Sequence, residues 1–71
     1  MRETKIHNLI KLHQERRTEA FEEVNTLYGV LDIEDKLSDK EVCDLNLAIS
    51  KLEVEMSLRL SFISELQNLL S

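Results

Sequence analysis

The ten residues Asp32-Ile-Glu-Asp-Lys-Leu-Ser-Asp-Lys-Glu41 divide the chain into two long halves, each with a helical repeat of apolar residues. The segment Asp32–Leu37 is dense in acids and breaks the repeat, so it reads as a connection. Ser38 followed three residues later by Glu41 is a capping box, in which side chains satisfy donors orphaned at a helix start. Asp39 and Glu41 also place negative charge in the first turn, where the helix dipole favours it.

Before the connection, Ile6, Ile10, His13, Arg17, Ala20, Val24, Leu27 and Leu31 follow alternating steps of four and three. This is a heptad seam with two polar members, His13 and Arg17. Leu9, Phe21 and Tyr28 widen it. Gly29 could end the helix as a left-handed cap or lie within it, since the repeat reaches Leu31. Helix 1 is therefore expected over about 3–31, the connection over about 32–38 and helix 2 over about 39–70.

Beyond the connection, Val42, Leu45, Ile49, Leu52, Met56, Ile63, Leu66 and Leu70 form a second seam, interrupted at Arg59. At ~100° per residue, Leu47, Val54, Leu58, Phe62 and Leu69 make another apolar stripe on the far side of the same helix. A strip of small polar residues, Asn46, Ser50, Ser57, Ser61, Ser64 and Asn68, reads as a solvated face. One seam suffices for a hairpin, so a second stripe asks for a further neighbour.

The chain is 71 residues long with one glycine and no proline, 42% apolar and 32% charged. Sandwiches, barrels and doubly wound sheets need more turn residues than this. Two helices of matching length on a short connection pack antiparallel. The expected fold is a single all-α domain, a helical hairpin assembling into a four-helix bundle or coiled-coil-like dimer. The hairpin seam would use Ile6, Ile10, Phe21, Val24, Leu27, Leu45, Ile49, Leu52, Met56 and Ile63. Partner contacts would fall to Leu47, Val54, Leu58, Phe62 and Leu69. His13, Arg17 and Arg59 are candidate specificity residues, and with the middles of the helices facing each other Arg17 is expected near Arg59 and Met56.

Net charge is −5, with an uneven distribution. Residues 1–17 carry five basic and two acidic side chains, a balance of +3, whereas residues 18–44 stand at −7. An acidic chain is a poor match for phosphate backbones as main target, so nucleic acid is not the expected partner. The alternative is a dimeric hairpin gripping RNA or DNA with Arg2, Lys5, Lys11, Arg16 and Arg17. A lone Cys43 suits a reducing compartment. No run approaches the ~18 apolar residues of a membrane span, and His7, Asn8, Lys11 and His13 interrupt any leader-like stretch. A soluble cytoplasmic protein is expected.

His7 and His13 are six apart and do not share the one-turn spacing of a helical metal pair. Glu15, Glu19, Glu22 and Glu23 read as a solvated face, because acid–base work needs a pocket that a two-helix rod does not offer. There is no phosphate-binding glycine loop and no nucleophile motif. The expectation is a non-enzymatic interaction module with no catalytic residue, metal or cofactor, whose partner is a second copy or the helices of another protein.

The stretch Glu41–Leu52 (EVCDLNLAISKL), with Arg16-Arg17, Glu19 and Tyr28-Gly29, resembles the sporulation-control aspartyl-phosphate phosphatases of Bacillus-type bacteria. Those are short helical hairpins acting on a response regulator. Their Ser-Gln-Glu-Leu-Asp core is replaced here by Asn46-Leu-Ala-Ile-Ser50. What the resemblance implies is a response-regulator binder without the catalytic motif.

Overall fold

The structure, a computed structural model, describes residues 2–33 and 36–71. Two α-helices of 32 residues each, α1 (Arg2–Ile33) and α2 (Asp39–Leu70), pack against each other as a hairpin. Each is about 48 Å long at 1.5 Å per residue, which accounts for a rod of 54 × 14 × 13 Å.

The start of α2 is built by its cap. Ser38 is extended (φ −70°, ψ 161°), and its Oγ accepts from the Glu41 backbone N–H at 3.2 Å. The reciprocal arm differs from the usual box. The Glu41 carboxylate accepts from the Ser38 hydroxyl itself, at 3.1 Å. One hydroxyl thus holds both groups, and the Ser38 carbonyl accepts the first helical bond from Val42 at 3.0 Å.

At the other side of the connection, α1 extends through Asp32 to Ile33, past its expected end. The apolar repeat stops before the helix does, because backbone hydrogen bonds continue for a turn without needing a buried face. Glu34 and Asp35 lie outside the described residues. Gly29 is an interior helical residue without a positive φ, so it is not a left-handed cap.

The core lies along the seam. Ile6, Ile10, Ala20, Val24, Ile49 and Ile63 are buried. Ile6, Ile10 and Ile63 cluster at the open end of the hairpin, with Leu66 and Leu70 packed against them. Leu27, Leu45, Leu52 and Met56 are half-buried at the same interface. Phe21 is a correction to the expected seam, being 52% exposed. Ala20, one residue earlier, takes the inward position at 3% exposure, and the ~100° step to Phe21 turns its ring to the flank. Leu9 and Tyr28 flank the seam in the same way.

Candidate interaction surface

Helix periodicity and the antiparallel register together place every candidate side chain. With Ile6 and Ile10 against Ile63, His13 comes level with Arg59. Arg59 Nη1 lies 3.0 Å from His13 Nδ1, and its Nη2 lies 3.3 Å from Glu55 Oε1, one turn earlier on α2. Arginine only donates, so Nδ1 is the acceptor and the ring proton sits on Nε2. The Arg59 side chain is about one-quarter exposed, keeping its stem in the seam and its charge on partners.

The two arginines have different surroundings. Arg17 is exposed and lines an open depression with Glu53, Met56, Ser57 and Leu60. The cross-helix hydrogen-bond partner of Arg59 is His13. Four residues, about one turn, separate the two levels on α1.

Phe62 links the seam to the far stripe. Its ring lies against His13 of α1, with centroids 5.3 Å apart and planes tilted by 36°. The remaining stripe residues face outward: Leu47 is 55% exposed, Val54 60%, Leu58 53% and Leu69 59%. Between Val54 and Leu58 an open apolar groove is edged by Glu53, Ser57 and Ser61. Leu12, which belongs to neither seam nor stripe, is exposed too. On α1 it adds apolar surface beside Leu9, and only the packed hairpin shows that no intrachain neighbour covers it.

The other candidates are distributed along the rod. Asn46, Ser50, Ser57, Ser61, Ser64 and Asn68 are all exposed, as are Arg2, Lys5, Lys11 and Cys43. Arg16 pairs with Glu19 at 3.5 Å across one turn, a surface contact of small energetic weight. Among the described residues no group of three or more His, Cys, Asp or Glu side chains converges as a metal site. Among the same residues no helix is long and apolar enough to cross a membrane. No family model matches the chain, and no curated protein or solved structure matches it.

The outer face of α2 carries apolar side chains that the hairpin leaves half in water. Fully burying a large aliphatic or aromatic side chain is worth roughly 1.5–3 kcal/mol relative to leaving it in water. Residues left half in water forgo about half of that each. Summed over Leu47, Val54, Leu58 and Leu69, the uncollected burial is comparable with the whole ~5 kcal/mol stability of a small domain.

Proposed function

We propose that the chain is a non-enzymatic protein–protein interaction module, a regulator, adaptor or inhibitor, that docks through the outer apolar face of α2. The observation that carries this reading is the stripe Leu47–Val54–Leu58–Phe62–Leu69, interrupted at Lys51 and Glu65, whose apolar members are 45–60% exposed on the side of α2 turned away from the seam. Contiguous apolar patches of this kind mark interfaces in soluble proteins.

The test compares the wild-type chain with Leu58→Asp, a change at a side chain that is 53% exposed. Each is recovered from its host cell and analysed for any associated chain, whether another copy or a different protein. Expected is loss of that association in Leu58→Asp with unchanged helicity by circular dichroism. Full association in the variant, or a wild-type chain that associates with nothing, overturns the reading.

A further inference from the structure

The stripe on α2 has an internal symmetry. Its members stand at 58 − 11, 58 − 4, 58, 58 + 4 and 58 + 11. An antiparallel copy of α2, related by a two-fold axis beside Leu58, therefore sets Leu47 level with Leu69 of the second copy. Val54 meets Phe62, and Leu58 meets itself. Self-complementarity of this kind is what an isologous dimer interface requires and what a foreign partner does not.

The charges obey the same relation. Lys51, Leu58 and Glu65 are seven apart and share one line along the helix. Lys51 and Glu65 are equidistant from Leu58, so the two-fold brings Lys51 level with Glu65 of the second copy, twice per dimer. Both side chains are exposed, and neither forms an ion pair with another described residue.

The elongated hairpin has surface enough for such an interface. A compact monomer of 8.3 kDa exposes roughly 4,600 Å². This chain exposes 5660 Å², an excess of about 1,000 Å². A standard interface covers about 800 Å² per partner.

Resting on the reading of this face as a docking surface, we propose that its occupant is a second copy of the chain. The two α2 helices would run antiparallel about a two-fold axis at Leu58, flanked by reciprocal Lys51–Glu65 pairs.

The experiment measures the monomer–dimer equilibrium by light scattering and sedimentation over about two decades of concentration. Lys51→Glu creates two like-charged pairs and is expected to weaken the dimer by about tenfold. Lys51→Glu with Glu65→Lys is expected to restore it. In a Cys43→Ser background, Leu58→Cys is expected to give a disulfide-linked dimer on mild oxidation, whereas Leu12→Cys is not. A wild-type chain that stays monomeric overturns the second copy as occupant. It leaves the interaction module standing, which fails instead if the wild-type chain associates with no other protein either or if Leu58→Asp associates fully. A dimer with no rescue by the charge swap, or no crosslink through position 58, overturns the two-fold register.

Discussion

Arg59 donates from Nη1 to Nδ1 of His13 across 3.0 Å, joining two half-buried polar positions of the seam. The same guanidinium reaches Glu55 at 3.3 Å. The pair ties one level of α1 to one level of α2. A purely apolar seam specifies that alignment less sharply, because leucines and isoleucines tolerate a slip of one heptad better than a hydrogen bond does.

This arrangement predicts a sign difference between variants. Arg59→Ala leaves the His13 acceptor unpaired and opens the seam, with an expected loss of about 1–2 kcal/mol. His13→Leu with Arg59→Leu replaces the bonded polar pair with apolar side chains and is expected to match or exceed wild-type stability, as apolar replacement of part-buried polar pairs often does. Urea unfolding at one fixed protein concentration reads both. A double variant less stable than wild type would show that the polar pair contributes more than its apolar substitute.

Gly29 offers a stabilising change. It lies inside α1, and a Cβ built there meets nothing within 4 Å. Gly29→Ala is expected to raise stability by about 0.5–1 kcal/mol, through the lower backbone entropy of the unfolded chain. Thermal unfolding followed by circular dichroism checks this.

The Ser38 hydroxyl both accepts from Glu41 N–H and donates to the Glu41 carboxylate. Ser38→Ala removes both contacts and is expected to cost about 1 kcal/mol. Ser38→Asp keeps the acceptor but faces Glu41 with a second carboxylate, so it should recover only part of the loss. Amide exchange in the first turn of α2 would locate the effect.

The seam and its flank should respond differently to truncation. Ile63 is 6% exposed within the Ile6–Ile10 cluster, and Ile63→Ala is expected to cost about 2–4 kcal/mol. Phe21→Ser, at a side chain 52% exposed, should change hairpin stability by less than about 1 kcal/mol. Equal losses at the two positions would place the Phe21 ring in an interface after all.

Much of the hairpin is legible residue by residue. The Ser38–Glu41 box marks the start of α2, and alternating steps of three and four identify Ile49 and Ile63 as inward-facing. Five apolar residues at helical spacing outside that seam identify the outer stripe. These are local features: a cap uses atoms within one turn, and a face is fixed by 3.6 residues per turn. Residue order alone therefore determined two antiparallel helices, their inner faces and the unpartnered outer face of α2.

Only the tertiary structure decided how far α1 slides along α2, and with it that His13 rather than Arg17 meets Arg59 and that Phe62 packs on His13. It also decided that Ala20 leaves Phe21 in solvent and that α1 runs through Gly29 to Ile33. Periodicity is unchanged when one helix is moved along the other by a heptad. The axial position is set instead by contacts between residues more than forty apart in the chain, the Arg59–His13 hydrogen bond and the packing of Ile6 and Ile10 against Ile63.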